Sequence, residues 1–195
     1  MRKYILLTIM LLVVTSVFSQ VPGMPFRQTS NNANSMGVKI GLNVSGTYAH
    51  EYVDNETLKT GLIGGVFYEF PITNNIALRT ELLYTQKGVK YVEYTGYYNY
   101  IEIPFLFSRM SSTNKTMYAG PSIGIETGSK GNYDGHSYDI EGMEPVELSI
   151  VGGMIYTINH NFFIDSRLSL GVTPIYDWGA DDRNIVLSIL LGYKL

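Results

Sequence analysis

The chain has 195 residues, with 14 Lys and Arg against 17 Asp and Glu, and no cysteine. An acidic balance of −3 gives no electrostatic footprint for nucleic acid, and the missing cysteine excludes both a disulfide framework and an acylated lipoprotein anchor. Glycine (20) and tyrosine (16) are abundant while charged residues make up only 16%, which suits a closed hydrogen-bonded sheet better than a solvated globule.

Residues 1–20, MRKYILLTIMLLVVTSVFSQ, begin with Arg2 and Lys3, continue in an apolar run from Tyr4 to Val14, and end in small and polar residues. That is the build of a secretory signal peptide, cleaved near Gln20; the apolar run is shorter than the roughly 20 residues of a spanning helix. Without Arg2 and Lys3 the mature chain carries 12 basic residues against 17 acidic ones, a net charge of −5. Residues 21–35, VPGMPFRQTSNNANS, read as a flexible lead-in, and no later window is long and apolar enough for a helical span. The domain proper is expected over 36–195.

From Met36 onward the period is two, broken by turn residues. Strand one, GVKIGLNVSGTY, places Val38, Ile40, Leu42 and Val44 opposite Lys39, Gly41, Asn43 and Ser45. After AHEYVDNET, strand two, LKTGLIGGVFYEF, sets Leu62, Val66, Tyr68 and Phe70 against Lys59, Gly61, Gly65 and Glu69. PITNN turns into strand three, RTELLYTQKG, where Leu82 and Tyr84 oppose Arg79, Glu81, Leu83, Thr85 and Lys87; Lys87-Gly88 marks its outer end. A loop over Gly88 to Gly96 precedes strand four, YYNYIEIPFLF, and MSSTNK turns into strand five, TMYAGPSIGIE. The longest loop, TGSKGNYDGHSYDIEGME, leads to strand six, PVELSIVGGMIYTI; NHN turns into strand seven, FFIDSRLSLGV; TPIYDWGADDR leads to the last strand, NIVLSILLGYKL.

Eight strands result, with long and short connections alternating. A transmembrane barrel segregates its connections in this way, with short periplasmic turns at one rim and long loops at the other. One face of each strand is large and apolar; the other is Gly, Ser or charged. In an eight-stranded barrel the small-plus-charged face fits the narrow lumen and the large apolar face fits lipid. The expected fold is therefore an all-β, eight-stranded antiparallel up-and-down transmembrane β-barrel in the cell outer membrane. The charges of the lumen face, Lys39, Glu69, Arg79, Glu81, Glu102, Glu126, Glu147, Asp165 and Arg167, with Lys59, should pair as a structural network, since an unpaired charge there would be strongly unfavourable. Tyr48, Tyr68, Phe70, Tyr84, Tyr91, Tyr98, Phe107, Tyr156 and Phe162 fall near strand ends, as interfacial girdles do. The chain stops in the alternation Ile189, Leu191, Tyr193, Leu195, similar to the carboxy-terminal signal read by barrel-assembly machinery.

The order GVKIGLN, KTGLIGGVFYEF, TELLYTQKG, YIEIPFLF, YAGPSIGI and a closing LGYKL resembles the PorT-like outer-membrane β-barrel proteins of Gram-negative bacteria, over Gly37 to Leu195. The resemblance implies an outer-membrane location and an eight-stranded barrel. Its founding member is an accessory of a protein-secretion and gliding system, and the resemblance supplies no catalytic residues.

The polar residues of the loops offer several small sets. His50 with Glu51, or His136 with Ser137 and Asp139, could serve an outer-leaflet lipid-modifying enzyme, and Asn132, Asp134, His136 and Asp139 could gather a cation. Neighbours on a loop do not by themselves bring a base onto a nucleophile, and the cation set lacks the glycine and terminal glutamate of a calcium loop. Ser112 and Lys115 form an S-x-x-K string without partner motifs, and Gly120 to Gly124 leads into no helix or Lys-Ser pair, so neither carries chemistry. Tyr91, Tyr94, Tyr97 and Tyr98 could form a rim for glycan or protein, although a lipid-interface girdle explains most of them. The reading is a non-enzymatic barrel without cofactor or metal, structural or binding an extracellular or envelope partner, monomeric, with outer-membrane lipids around it. An accessory role in secretion and a lipid-modifying enzyme are the alternatives.

Overall fold

The computed structural model describes residues 34–48, 57–91, 94–140, 142–176 and 182–195. The signal peptide, the lead-in as far as residue 33, and His50 with Glu51 lie outside the described residues.

Nine strands form among the described residues: β1 (Ser35–Tyr48), β2 (Lys59–Pro71), β3 (Ile76–Lys90), β4 (Tyr94–Ser112), β5 (Lys115–Tyr133), β6 (His136–Asp139), β7 (Val146–Thr157), β8 (Phe162–Gly171) and β9 (Arg183–Lys194). Every pairing is antiparallel. The order β4-β3-β2-β1-β9-β8-β7-β5 is closed by β4 on β5, so eight strands make a barrel and β6 lies outside it on the upper part of β5. Closure removes the unpaired edges that an open sheet would expose to hydrocarbon.

Short polar turns gather at one rim, here termed the inner one. In the β2–β3 turn Thr73 Oγ1 accepts the Ile76 N–H at 3.2 Å, and in the β7–β8 turn Asn159 Oδ1 accepts the Phe162 N–H at 2.9 Å. These side chains replace backbone turn bonds, which is why Thr and Asn punctuate the sequence there. The β4–β5 turn is tighter than expected: the strands run to Ser112 and from Lys115, with Thr113 and Asn114 between them.

At the outer rim two expected loops are largely strand. β3 continues to Lys90 and β4 begins at Tyr94, while β5 runs on to Tyr133. β4 and β5 each have 19 residues, against roughly 9–11 for a tilted membrane crossing. Their outer ends therefore stand clear of the lipid as a ribbon, widened by β6. A bulge at Thr127 shifts the register between Tyr100↔Glu126 and Asn99↔Gly128 and reverses the parity of β5 above it. The hairpin to β6 turns on Asp134 (φ 47°) and Gly135 (φ 82°), two left-handed residues in succession, the geometry that favours Asp-Gly.

Val38, Ile40, Leu42, Leu82, Phe107, Ile150, Leu187 and Ile189 are all at least 44% exposed, which sets a continuous apolar belt around the wall. Tyr48, Tyr68, Phe70, Tyr156 and Phe162 also face outward near the ends of their strands, while Tyr84, expected among them, faces outward from the middle of β3. Tyr98 departs from the expected girdle: it shares the parity of Tyr100 and Glu102, points inward and is fully buried. Tyr91 likewise packs against the buried cluster around Tyr98.

The interior also holds large apolar side chains that the small-plus-charged pattern understates, among them Phe67, Leu83, Leu106, Phe163 and Leu190. Phe163 pairs with Gly192 across β8 and β9, and a Cβ at Gly192 would run into the Phe163 ring. Phe67 meets Phe163 edge-on at 5.4 Å between centroids. The glycine thus clears a seat for the ring that fills the inner end. Gly192→Val should lower stability by about 1–3 kcal/mol through overpacking, read as a lower urea midpoint for the folded, heat-modifiable form on a gel.

Candidate functional site

The inward residues form apolar and charged clusters in alternation, and β3 threads them from the inner to the outer end. Its Arg79 and Glu81 belong to one charged cluster, Leu83 to an apolar one, Thr85 and Lys87 to a second charged cluster, and Val89 to an aromatic cap.

At the inner end Phe67, Leu106, Ile155 and Phe163 pack together, and the Arg79 guanidinium lies 3.9 Å from the Phe67 ring centroid. Above them the inner charged cluster centres on Glu81. Its carboxylate accepts from Lys39 Nζ at 2.6 Å, Arg79 Nε at 2.9 Å and Arg167 at 2.8 and 3.3 Å. Asp165 accepts from Lys39 Nζ at 2.9 Å, from Arg167 Nη2 at 2.6 Å and from the Tyr118 hydroxyl. Glu69, partly open at the rim, stands 3.4 Å from Arg79. Three cations therefore meet three carboxylates, and four strands of the wall are tied across the lumen.

Ile63, Leu83 and Leu190 form the next, dry layer. Above it Lys87, fully buried, pairs with Glu102 at 2.6 Å and Glu147 at 2.8 Å. Thr85 Oγ1 donates to Glu102 at 3.2 Å, and Asn184 Nδ2 donates to Glu147 at 2.7 Å. The end of strand three expected at Lys87-Gly88 moves out to Lys90, and Lys87, with the same parity as Arg79 and Glu81, joins the lumen charges as the sole cation in contact with this pair of acids among the described residues. Parity alone assigned it to the lumen; its nearness to a glycine and a presumed loop obscured that.

Two further expectations are corrected. Lys59 meets no carboxylate among the described residues; its Nζ lies 3.4 Å from the Lys87 carbonyl oxygen and 4.3 Å from the Tyr97 ring centroid. Glu126, beside the Thr127 bulge, has no ion pair among the described residues, and its buried Oε1 has no hydrogen-bond partner.

The outer mouth is covered by Val89, Tyr98, Tyr100 and Ile175, with Tyr94, Met143 and Tyr176 against them. The Tyr98 and Tyr176 hydroxyls are 2.7 Å apart, and Met143 bridges to Tyr176 backbone to backbone. Burial pushes the Tyr176 hydroxyl above its ordinary value, so it stays protonated and able to donate. Along β3 these clusters follow one another from the inner end of the lumen to its outer mouth.

The loop sets do not assemble a reactive centre among the described residues. His136 and Ser137 are neighbours on β6, which is exposed throughout, so their side chains leave opposite faces of the strand. His160 is exposed in the β7–β8 turn. Asn132 Oδ1 is engaged by the Gly135 N–H at 3.1 Å, closing the turn rather than facing a cation. No group of His, Asp and Glu suited to a metal ion occurs among the described residues.

A closed antiparallel barrel with an apolar belt outside and a salt-bridged interior defines an integral outer-membrane β-barrel protein. The chain belongs to the family described as outer membrane protein beta-barrel domain, whose family model matches residues 26–177. The protein accordingly resides in the outer membrane. Among solved structures it is similar to Ail, the attachment invasion locus protein of Yersinia pestis, at 17% identity and TM-score 0.54, covering 83% of this chain and 99% of that one. A second Ail structure, in complex with the heparin analogue sucrose octasulfate, gives a TM-score of 0.55 at 17% identity, with the same coverage. Neisserial surface protein A gives a TM-score of 0.61 at 13% identity, over 84% of this chain and 99% of that one. At these identities the likeness is one of fold. A search of curated protein sequences found no match.

Proposed function

We propose that the protein is a membrane-anchored binding platform rather than a channel or an enzyme, with the β4–β5–β6 ribbon as its working surface. The observation that carries this reading is the contrast between a lumen crossed by successive apolar and salt-bridged clusters and a ribbon whose Tyr97, Tyr133 and Tyr138 are 44%, 52% and 49% exposed. A surface that is rigid, hydrogen-bonded and rich in accessible aromatic rings is suited to holding a partner, since few side-chain rotors have to be fixed on binding. The partner belongs to the envelope or the extracellular side, and the barrel serves as a monomeric anchor in outer-membrane lipid. An accessory role in a PorT-like secretion system rests on the sequence resemblance, and co-purification with envelope secretion components tests it.

Two measurements check the platform reading. Liposomes loaded with this protein should show no swelling in small sugars above empty liposomes, whereas a porin control swells; a sugar flux through the barrel would overturn the reading. A photo-crosslinking residue at Tyr138 in intact cells should give discrete adducts that the same residue at Ile72, on an inner turn, does not. Absence of adducts at Tyr138 would overturn the ribbon as the working surface.

A further inference from the structure

On the inner half of the barrel the ionised side chains of the Glu81 cluster, and Lys194 at the end of β9, have the parity of the lumen. Arg109 near the inner end of β4 and Lys115 at the start of β5 are the two exceptions among the described residues. They share the outward parity of Phe107 and Met117, and both are exposed. They are also neighbours. Arg109 stands opposite Met117, and Lys115 lies two residues from Met117 on the same face of β5. That is the diagonal of an antiparallel pair, about 7–8 Å at the backbone and within reach of long side chains.

The neighbouring aromatic residues fix the depth of the pair. Lys115 is paired directly with Tyr156 on β7, and Arg109 follows Phe107 by two residues. Both rings face outward near the inner ends of their strands, 42% and 61% exposed. Aromatic girdles of this kind mark the level of the lipid headgroups. No carboxylate offsets the two charges: neither side chain forms an ion pair among the described residues. The inner turns over 72–75, 113–114 and 158–161 hold no Asp or Glu, and neither do residues 21–33, which precede β1. Two like charges on one strand diagonal repel each other, and an anion between them relieves that repulsion. At the depth of the girdle the anion at hand is phosphate. A guanidinium grips it with two parallel N–H donors, and an ammonium adds a compact charge.

We infer that Arg109 and Lys115 form a headgroup site for a phospholipid of net negative charge in the inner leaflet. Its phosphodiester lies between guanidinium and ammonium with Tyr156 at its side, and its acyl chains run along Phe107, Met117 and Ala119, which face the lipid. A zwitterionic phospholipid is the poorer ligand, because its own ammonium competes with Lys115 for the phosphate. The site lies at the opposite end of β4 and β5 from the ribbon and stands independently of the platform reading.

The test uses the mature protein in a non-ionic detergent, offered equal amounts of phosphatidylglycerol and phosphatidylcholine with the same acyl chains. Native mass spectrometry reads the lipid that stays bound. Phosphatidylglycerol should be preferred by roughly twentyfold, since each basic side chain at a lipid surface contributes a factor of about five. Arg109→Gln combined with Lys115→Gln should abolish the preference. Lys90→Gln combined with Lys130→Gln removes the same charge from exposed positions at the outer end and should keep it. Both double variants leave the lumen clusters untouched and should keep the heat-modifiable migration of the barrel. Water-soluble glycerol phosphate, which offers the phosphate without acyl chains, should not displace the lipid. Equal retention of the two lipids, a preference that survives the Arg109 and Lys115 changes, or its equal loss in the Lys90 and Lys130 control would overturn the inference. Displacement by glycerol phosphate would overturn the lipid as ligand and leave a site for a free phosphate.

Discussion

Glu81→Gln is expected to lower the stability of the folded barrel by about 3–5 kcal/mol, the usual range for removing one partner of a buried ion pair. The carboxylate receives Lys39, Arg79 and Arg167 at once, and its side chain has no solvent exposure. Glutamine retains the shape but leaves three cations facing Asp165 and the partly open Glu69, in a space where the inner apolar cluster and the Ile63–Leu83–Leu190 layer exclude water. The readout is the urea midpoint of the heat-modifiable form in lipid vesicles. The control is Glu81→Gln combined with Lys39→Met, which restores the match of two guanidinium groups to two carboxylates. If charge balance is the cause, the pair is less destabilising than the sum of its members, by an interaction energy of about 0.5–3 kcal/mol. Strict additivity would show that packing, not charge, sets the effect.

Much of the wall was legible in the sequence because the physical rule is short. A strand in a two-sided environment alternates with period two, so Arg79, Glu81, Thr85 and Lys87 go to one side and Leu82 and Tyr84 to the other. The eight-stranded barrel and its lumen charges follow from repeating that rule. What parity does not give is pairing across the lumen. That Lys39 meets both Glu81 and Asp165 depends on the register and tilt that closure imposes on β1, β3 and β8, and nothing local in any of those strands encodes it. The outer ribbon was read as loop for a different reason. Gly88, Gly96, Gly128 and Gly131 look like turn residues, although here they lie in strands, and the Thr127 bulge interrupts the alternation in the outer part of β5. The Asp134-Gly135 pair, flanked by Tyr133 and His136, was the available sign of a hairpin in that stretch.

The second charged cluster tests the lumen position of Lys87. Were Lys87 exposed to solvent at the end of its strand, Lys87→Met would act as a surface change, within about 0.5 kcal/mol. In the observed position it is the cation between Glu102 and Glu147, 2.6 and 2.8 Å away, and its removal leaves two carboxylates in the lumen beneath the Tyr98–Ile175 cap. The expected loss is again about 3–5 kcal/mol, since the remaining partners are neutral: Thr85 on Glu102 and Asn184 on Glu147. Lys87→Met with Glu102→Gln and Glu147→Gln removes the charges together and should recover much of that loss, because a neutral hydrogen-bonded lumen carries no uncompensated ion. The same vesicle titration reads all the variants. A single variant as stable as the parent would return Lys87 to the surface, and a triple variant no better than the single one would mean that the ammonium holds the outer lumen by filling it, independently of the acids it faces.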